Sequence, residues 1–591
     1  MLAAARPVLG VTQSVRGQAW GWRGGLAPGD GLDGRGADDL LAQLFRARGA
    51  DPADFARLKT PTLRDWLPDP SLLADMDTAV ARIVAAVQAG QAIVVFGDYD
   101  VDGATSAAVL IRYLRSVGGL ASHYIPDRLL EGYGPSADAL VALKAAGADL
   151  VITVDCGTQG FAALAAAKAA GLDVIVVDHH KAGTSLPACV ALVNPNRLDE
   201  PPAAAAYGHL AAVGLAFLLA VALNRALRQA GWFETRAEPQ LLALLDLVAL
   251  GTVADVAPLT GLNRAFVAQG LKVMRQRGNI GIAALCDVAG LAAPPTARDL
   301  GFALGPRVNA GGRVGQADLG VRLLTTGDAG EAALLAAELN RLNHERRAIE
   351  QAVTDEALAM AAGQPPRACA LVAGPGWHPG VIGIVAARLK ERQGVPAFVL
   401  AVQDDGIAKG SGRSIPGVDL GAAVLAAADT GLLLAGGGHA MAAGLTVAAD
   451  RISELADFLD ARLAAQVAAA STGKVLSIDV AVAPRGLNLD LWETLEAGGP
   501  YGQGWPGPRI ASGPWRVVQV DVLKDVHVRA VLAGADGARM KAMAWSSAET
   551  PLGAALLGAG NRQCHVAGRI RRNDWQGKSS AELELDDLAF V

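Results

Sequence analysis

The chain has little cysteine, lysine or aromatic side chain for its 591 residues. The scarcity of lysine indicates a GC-rich genome more than any function, but the scarcity of cysteine excludes particular classes of protein. Its five cysteines are scattered without any Cys-x-x-Cys pair, which excludes a zinc knuckle and a disulfide framework and indicates a reduced, cytoplasmic protein. The N-terminal residues lack the continuous apolar stretch of a secretory signal. The apolar segments 211–224 and 241–250 are too short and interrupted to predict a membrane span. The cysteines are Cys156, Cys189, Cys286, Cys369 and Cys564.

An excess of basic charge is also missing, since the formal net charge is −6. Proteins that bind nucleic acid are often basic, so this balance counts mildly against such a partner. The objection is limited if the aspartates bind metal ions, because the ions offset their charge locally. A basic concentration does occur near the C-terminus, at Arg562, Arg569, Arg571, Arg572 and Lys578.

Length and pattern together predict a largely α/β chain of three or four domains. Between about 80 and 260, short β-branched strands alternate with Ala-rich helices, which is typical of βαβ units and a parallel sheet. A long helix follows, and its charged run Arg341–Glu350 is interpreted as a solvated face. A second α/β lobe comes next, and short alternating strands after 475 indicate a small β-barrel. The predicted segments are a lead-in at 1–80, an α/β domain at 81–330, a connecting helix at 331–365, an α/β domain at 366–470 and the barrel at 475–591.

Carboxylates and imidazoles follow the ends of several apolar runs. Three aspartates alternate directly after the predicted strand 92–96, and another follows the strand 150–154. An Asp-His-His run ends the strand 174–177, and a Gly-Thr-Val-Ala-Asp run follows the apolar segment 241–250. Ligands of open α/β sheets gather at the carboxyl ends of strands, so these groups are expected to meet. The residues are Asp98, Asp100, Asp102, Asp155, Asp178, His179, His180 and Asp255.

A divalent cation explains this cluster better than capping alone. A lone Asp at a strand end usually caps a helix or closes a turn. Three aspartates within five positions repel one another unless a cation compensates their charge. Mixed carboxylate and imidazole ligands suit Mn²⁺ or Mg²⁺ and, less specifically, Zn²⁺. The sequence therefore predicts a metal centre at the carboxyl edge of the first sheet.

The same runs resemble the four motifs of the DHH-family phosphoesterases. The residue sequences of Gly97–Gly103 and Gly251–Val256 are similar to those of the family's bacterial single-strand-specific 5′→3′ DNA exonucleases. Gly305–Arg313 resembles the family's Arg-Asn-Gly-Arg segment. The resemblance runs from about residue 40 to the C-terminus and implies an OB-like barrel at the end. Three further segments resemble the family's DHHA1 domain: Gly376–Gly383, Gly410–Ser414 and Gly436–His439.

The resemblance implies a two-metal hydrolase that releases mononucleotides from the 5′ end of single-stranded DNA in repair and recombination. Asp155 is the implied bridging carboxylate, and Asp100 and Asp102 would serve one metal each. His179 and Asp255 would bind the second metal.

The roles of three other residues are less direct. His180 is expected to meet the scissile phosphate. Asp98 either binds metal or orients Asp100. Phe96 stands where small-molecule relatives carry a histidine ligand, which puts the ligation of the first metal in doubt.

Downstream segments carry the residues predicted to hold the substrate. Glycine lets the backbone approach a phosphate, and arginine binds its oxygens in pairs. The resemblance implies a 5′-phosphate pocket at the DHHA1 loop and a phosphate or leaving-group contact for His439. A turn with a salt bridge, or a loop histidine, is the alternative, and an aromatic at 501 either stacks bases or forms a plain turn. The predicted binding residues are Arg307, Asn309, Arg313, Ser411, Arg413 and Tyr501.

Two other functions stay open. A hydrolase of short oligonucleotides or cyclic dinucleotides uses the same motifs, but those relatives are typically shorter and lack a C-terminal barrel. A catalytically inactive scaffold, as in the replication-helicase-associated homologues, loses metal ligands that are all present here. Single-stranded DNA is the implied partner, with a single-strand-binding protein and a recombination helicase as further candidates and no membrane.

Overall fold

The described residues of this computed structural model form two compact units. One unit lies within Trp66–Thr472, and the other combines residues within Met1–Asp65 and within Gly473–Val591. The N-terminal segment therefore shares its core with the C-terminal barrel. The structure describes residues 7–25, 37–128, 131–471, 474–575 and 577–591.

The N-terminal segment adds one strand and short helices to the barrel unit. Trp20 is fully buried, and its indole Nε1 donates a hydrogen bond to Asp587, 3.0 Å away. The strand that holds Trp20 pairs in parallel with residues 475–478. The elements are β1 (Ala19–Trp22), α1 (Ala37–Arg46), α2 (Phe55–Lys59) and α3 (Leu63–Trp66).

The first lobe of the larger unit is built on a five-stranded parallel sheet, as its βαβ pattern predicted. Its elements are α4 (Met76–Gln88), β2 (Ala92–Gly97), α5 (Val101–Ser116), β3 (Leu120–Tyr124), α6 (Ala137–Ala145), β4 (Leu150–Val154), α7 (Phe161–Ala169), β5 (Asp173–Val177) and β6 (Ala191–Val193). The strand order is β3-β2-β4-β5-β6. The chain moves outward from β2 to β3 and then crosses back to β4, so the order reverses between β2 and β4.

Helices cover the sheet and complete the lobe. Helix α9 is apolar and long enough to cross a bilayer, but 72% of it is buried, which marks it as a core helix of this lobe. A π-helical turn, Leu300–Leu304, precedes α14. The helices are α8 (Pro202–Ala205), α9 (Ala212–Gln229), α10 (Leu245–Ala254), α11 (Gly261–Met274), α12 (Ile280–Val288), α13 (Ala297–Asp299), α14 (Gly305–Val314), α15 (Leu319–Thr325) and α16 (Ala329–Ala362).

Helix α16 is the predicted connecting helix, but its charged run is not wholly solvated. Arg341 is exposed and pairs with Glu338. Arg346 and Glu350 are only 7% and 9% exposed and pair with each other at 2.9 Å. The solvated-face interpretation is wrong for these two residues, because that side of α16 packs against α14 and α17 (Ile382–Gln393).

The second lobe carries a mixed five-stranded sheet in the order β10-β11-β9-β8-β7. Strands β7 and β8 are parallel, and the other neighbours are antiparallel. The remaining elements are β7 (Ala370–Pro375), β8 (Ala397–Val402), β9 (Ile407–Arg413), α18 (Leu420–Asp429), β10 (Ala435–His439), β11 (Ala442–Ala448) and α19 (Ile452–Ser471).

The C-terminal strands close into a small barrel, which confirms that prediction. Strands β14, β15, β16, β18 and β17 pair in this order, and β17 pairs back to β14. Helix α21 connects the third strand of the barrel to the fourth. The elements are β12 (Val475–Ile478), β13 (Val480–Val482), α20 (Leu489–Glu496), β14 (Ile510–Leu523), β15 (His527–Gly534), β16 (Arg539–Ala544), α21 (Pro551–Leu557), β17 (Gln563–Trp575) and β18 (Lys578–Phe590).

The basic concentration near the C-terminus is largely neutralised on this barrel. The guanidinium of Arg562 lies 3.6 Å from the ring centroid of Phe590. Acidic side chains on or beside the paired strands β17 and β18 compensate the other three arginines of this concentration. The ion pairs are Arg569–Asp586, Arg571–Glu584 and Arg572–Asp574.

Candidate metal centre

The strand-order reversal brings two aspartates together. Strands β2 and β4 are parallel neighbours, with Gly97 paired to Val154. The next residue of each strand, Asp98 or Asp155, therefore enters the crevice at this edge of the sheet. Both are nearly buried, at 4% and 3% exposure. The Oδ1 atom of Asp98 is buried and accepts no hydrogen bond from the described residues, which leaves it available to a cation.

The start of α5 places the next two aspartates. Asp100 caps the helix, and its Oδ1 accepts a hydrogen bond from the backbone N–H of Gly103 at 3.0 Å. A Cβ at Gly103 would lie 2.3 Å from the carbonyl oxygen of Asp98, so only glycine fits this turn. Asp102 lies inside the helix, not on a strand-end loop. Its carboxylate accepts hydrogen bonds from the first two amides of α9, at 2.7 and 2.9 Å.

Asp255 reaches the same place from a helix. It directly follows α10, and the run that contains it is thus not the strand end that its apolar lead-in suggested. Helix α10 packs closely on α5 at Gly251, where a Cβ would lie 2.2 Å from Thr105 Oγ1 and 3.1 Å from Asp102 Oδ1. This close approach brings Asp255 to the carboxylates of α5.

The two histidines are set by Asp178, whose role the sequence interpretation missed. The Oδ1 atom of Asp178 accepts hydrogen bonds from the backbone N–H groups of His179 and His180, and lies 2.7 Å from His180 Nδ1. The Nε2 atom of His179 lies 3.2 Å from Asp155 and 3.9 Å from Asp102. The position of Asp178 at the head of the Asp-His-His run was the available signal for this role.

Three overlapping groups of side chains have the geometry to hold a metal ion. In each group, one ligand atom from every residue lies within 4.8 Å of the others. Asp155 belongs to two groups, and so does His179. His180 joins one of them, and its contact with the phosphate stays a prediction. The groups are Asp98–Asp100–Asp155, Asp102–His179–Asp255 and Asp155–His179–His180.

Burial and mutual repulsion raise the pKa of most of these carboxyl groups. The pKa rises to about 8 for Asp98, about 7 for Asp102 and about 9 for Asp255, with burial as the largest cause and neighbouring aspartates as the next. Burial likewise holds the pKa of Asp155 well above its usual range. A bound divalent cation favours the charged carboxylates and would reverse these shifts.

In Asp178 and His180 the pKa shifts favour the charged form of each group instead. Burial disfavours the charged form of each, but their mutual hydrogen bond and attraction outweigh it. The pKa of Asp178 falls below its usual value, and the pKa of His180 rises above it. Tyr133, another residue that the sequence interpretation missed, donates a hydrogen bond to the carbonyl oxygen of Asp155 and lies 3.1 Å from His180 Nδ1.

The predicted Arg-Asn-Gly-Arg residues lie on helix α14 rather than on a glycine-rich loop. Arg307 is buried, and its side chain donates hydrogen bonds to Asn340 and to the carbonyl oxygen of Ala303. Asn309 is half-buried on the same helix. Arg313 contacts the second lobe, where it donates a 2.7 Å hydrogen bond to the carbonyl oxygen of Gly380.

The second lobe holds the predicted phosphate-binding pair together. Arg413 donates a hydrogen bond to Ser411 Oγ at 3.1 Å, both on β9. A Cβ at Gly383, in the first turn of α17, would lie 2.9 Å from Arg413 and 3.0 Å from Ser411, so the amide end of this helix closely faces the pair. His439 is exposed at the end of β10 and belongs to none of the three metal-binding groups.

A cavity of about 190 Å³ lies between the two lobes, beside Arg313. Its lining includes Arg128 and His378, two further cationic or titratable side chains. Burial, and next the positive charge of Arg128, lower the pKa of Arg313 to about 10. The same two causes, in the same order, lower the pKa values of His378 and Arg413. No sequence pattern marked Arg128.

The aromatic loop of the barrel unit is mainly structural. The hydroxyl of Tyr501 donates a hydrogen bond to the carbonyl oxygen of Leu495. Trp505 is 3% exposed, and its indole donates to the carbonyl oxygen of Gly498. Trp505 is therefore part of the packed interior and is not available to stack on a base.

Three family models match successive parts of the chain. The N-terminal domain of the DHH family matches residues 92–252, the DHHA1 domain residues 366–465 and the RecJ OB domain residues 478–587.

Known exonucleases and their structures are similar to the chain over most of its length. The single-stranded-DNA-specific exonuclease RecJ of Dickeya dadantii is 38% identical over 561 residues, which cover 93% of this chain and 96% of that protein. The Escherichia coli RecJ is 37% identical over 571 residues, covering 93% and 95%. The crystal structure of RecJ from Thermus thermophilus in complex with Mn²⁺ has a TM-score of 0.76 and 30% identity, covering 93% of this chain and 75% of that chain.

Proposed function

Because this chain belongs to the RecJ family of single-stranded-DNA-specific exonucleases, we propose that it hydrolyses single-stranded DNA from a 5′ end and releases mononucleotides. The family membership confirms the resemblance that the motifs indicated. The observation that carries the proposal is the set of three overlapping metal-binding groups at the strand-order reversal. The intact ligand set argues against an inactive scaffold, and the barrel favours long strands over short oligonucleotides.

The residues present fit two divalent ions such as Mn²⁺ or Mg²⁺, the ions in the two Thermus RecJ structures. The donors are carboxylate oxygens and imidazole nitrogens, and the unpartnered Oδ1 of Asp98 is among them. When bound, two such ions activate a water and neutralise charge on the scissile phosphate. We assign Asp155 as the bridging ligand, because it belongs to one group with Asp98 and Asp100. Its Oδ1 also lies 3.2 Å from Nε2 of His179, the ligand that it shares with another group.

Asp102 and Asp178 have different roles: Asp102 fixes two helices relative to each other, and Asp178 orients His180. Asp102 is tied by two amides of α9 and thereby fixes α5 against α9 while its oxygens face His179. Asp178 keeps His180 in one orientation and supports its protonated form. His180 is thus suited to donate a hydrogen bond to a phosphate oxygen or to the leaving group.

The 5′ end is proposed to bind where the lobes face each other. Arg128, Arg313 and Arg413 are half-buried, and none of them forms an ion pair with a carboxylate in the described part of the chain. Shielding several positive charges from water is costly unless a negative charge compensates them. A terminal phosphate supplies the missing negative charge. Ser411 and the amide end of α17 add neutral donors beside it.

The partners and the location of the protein are proposed from the same family membership. Single-stranded DNA is the substrate, and a single-strand-binding protein and a recombination helicase are the proposed protein partners in repair and recombination. Five free cysteines agree with a reduced, cytoplasmic location.

One digestion tests the reaction and its direction. The protein is incubated with Mn²⁺ or Mg²⁺ and with single strands labelled at the 5′ or the 3′ end, beside a duplex of the same sequence. We expect the 5′ label to be released at once as a mononucleotide and the 3′ label to persist in gradually shortened strands. The duplex should resist digestion, and chelation by EDTA should stop the reaction. Early release of the 3′ label, or equal digestion of the duplex, would contradict the proposal.

A further inference from the structure

The aromatic residue between two metal-site aspartates contacts an arginine of the lobe interface. The guanidinium carbon of Arg128 lies 5.0 Å from the ring centroid of Tyr99, within the range of a cation–π interaction. Tyr99 is flanked by Asp98 and Asp100. One short turn therefore carries both the metal-site carboxylates and this ring.

The backbone of Tyr99 is fixed from the opposite side. Helix α14 approaches it so closely that a Cβ at Gly312 would lie 2.6 Å from the carbonyl oxygen of Tyr99 and 3.2 Å from its Cβ. Asp98 on one side directly follows the central strand β2, and Asp100 on the other caps α5. The backbone at Tyr99 is thus fixed by contacts that do not involve Arg128.

A guanidinium that binds a phosphate must be held in place by a contact that leaves its positive charge uncompensated. Arg313, Arg413 and His378 are the neighbours of Arg128, and its positive charge disfavours their charged forms. A carboxylate would hold Arg128 in place but would cancel the charge that a phosphate requires. An aromatic face attracts the guanidinium and leaves its hydrogen-bond donors and full charge free.

We propose that Tyr99 is a positioning residue that holds Arg128 in the groove between the lobes, so that it binds the 5′-phosphate of the strand. The inference rests on the proposed function, because it assumes that Arg128 binds that phosphate. It links the two halves of the site: the turn that carries the metal ligands also sets the arginine that holds the end of the substrate.

The test replaces the ring while keeping the fold. Y99F keeps an aromatic face, a fluorinated phenylalanine at position 99 keeps the ring size but removes the negative potential of that face, and Y99L removes the ring. The ratio of kcat/KM for 5′-phosphorylated over 5′-hydroxyl single strands is measured for each. We expect Y99F to stay within about twofold of the native ratio, and the fluorinated ring and Y99L to lose about three- to tenfold. Mg²⁺ affinity, measured by calorimetry, should stay within about twofold for all three.

R128A separates failure of the inference from failure of the proposed function. If R128A leaves the 5′-phosphate preference unchanged, Arg128 does not bind the phosphate, and both the phosphate assignment and the inference are overturned. If R128A abolishes the preference but the fluorinated ring and Y99L retain it, only the inference is overturned. An equal loss on both substrates with weakened Mg²⁺ binding in the fluorinated variant would show that Tyr99 is merely structural. In the R128A background, removal of the ring should have no further effect on the ratio.

Discussion

At the scale of single residues, Asp155 shows how the backbone serves the site. Its φ is 61°, in the left-handed region that L residues rarely adopt. Aspartate and asparagine tolerate this region better than other non-glycine residues. The carboxylate is therefore held at a fixed angle at the end of β4, next to the end of β2. A substitution that preserves the backbone must respect this conformation.

We expect Asp155→Asn to keep the fold and to lower turnover by at least about 100-fold, because it removes a ligand shared between two ions. Asparagine is preferred to alanine here because it suits the left-handed backbone. The measurement is kcat on a single strand at saturating Mg²⁺, with the melting temperature as a check on folding. Retention of more than about a tenth of the native rate would rule out the bridging role.

Arg413→Ala tests the phosphate pocket directly. We expect kcat/KM for 5′-phosphorylated strands to fall about tenfold, because a charge-assisted hydrogen bond is lost, while 5′-hydroxyl strands lose much less. The control is Arg451→Ala in the same lobe, since Arg451 is half-buried like Arg413 but is paired with Glu454. Equal losses on both kinds of end would make Arg413 a general backbone contact instead.

The raised carboxyl pKa values predict how pH acts on the metal-free protein. Asp98, Asp102 and Asp255 have folded pKa values of about 8, 7 and 9, against 3.8 for the ordinary group. The folded state thus binds more protons than the unfolded state between these values, so its free energy of unfolding falls as pH rises. We expect the metal-free protein to lose thermal stability from pH 6 to pH 9, and the stabilisation by Mg²⁺ to grow.

Thermal melts with and without Mg²⁺ at four pH values across this range provide the measurement. Asp255→Asn is the matched variant, because it removes the group with the highest pKa of the three. Its metal-free protein should lose less stability over the same range. A slope equal to that of the native protein would show that other groups cause the pH dependence.

The sequence was most informative where chemistry requires particular residue types. Alternating aspartates and an Asp-His-His run identified the metal centre, because few other arrangements tolerate so much like charge. The role of Asp178 and the whole contribution of Arg128 were missed for physical reasons. The role of Asp178 depends on hydrogen bonds to the two residues after it, and that of Arg128 on a ring some thirty positions earlier in the chain.

At the scale of elements, close helix packing rather than strand ends completes the site. Helix α10 crosses α5 at Gly251, and helix α14 contacts the first metal-site turn at Gly312. Apolar composition alone could not separate a buried helix from a buried strand in the segment before Asp255. The glycines of α14 suggested a phosphate loop, but they permit close contact between helices and turns.

Gly251→Ala should therefore disturb the metal centre from a position that binds no metal. The added Cβ would lie 2.2 Å from Thr105 Oγ1 and 2.8 Å from Val213 Cγ1, so α10 must move and shift Asp255. We expect a loss of about 1–3 kcal/mol in stability and a reduced affinity for Mg²⁺. Gly278→Ala is the control, since a Cβ there meets nothing within 4 Å. Native Mg²⁺ affinity in Gly251→Ala would show that the α5–α10 contact does not set Asp255.

At the scale of the whole molecule, the division into two units determines where the chain can be cut. Deleting only the barrel would expose Trp20 and the strand β1, which pack with residues near the C-terminus. A fragment of residues 66–472 keeps one complete unit and its metal centre. This division could not be read from the sequence, because the N-terminal segment and its partner lie at opposite ends of the chain.

We expect the 66–472 fragment to fold and to cleave short oligonucleotides with little loss, because they occupy only the catalytic groove. Long strands should lose affinity and show a weaker salt dependence, since a strand-binding barrel adds phosphate contacts. The measurement is kcat/KM on a short and a long strand at two salt concentrations, for the fragment and the full chain. An equal loss on both lengths with an unchanged salt slope would make the barrel unit structural.

The shared core of residues from both ends of the chain also determines the order in which the two units can fold during translation. The first segment leaves the ribosome long before its partner, because all of Trp66–Thr472 is made in between. At common rates of translation this interval lasts about 20 to 80 seconds. During that time the apolar residues around Trp20 lack the barrel strands that later cover them, and the catalytic unit is completed before those strands are made. The nascent chain therefore completes its metal centre before it can bury the apolar residues around Trp20. We expect a chaperone that binds exposed apolar segments to bind first within residues 1–65.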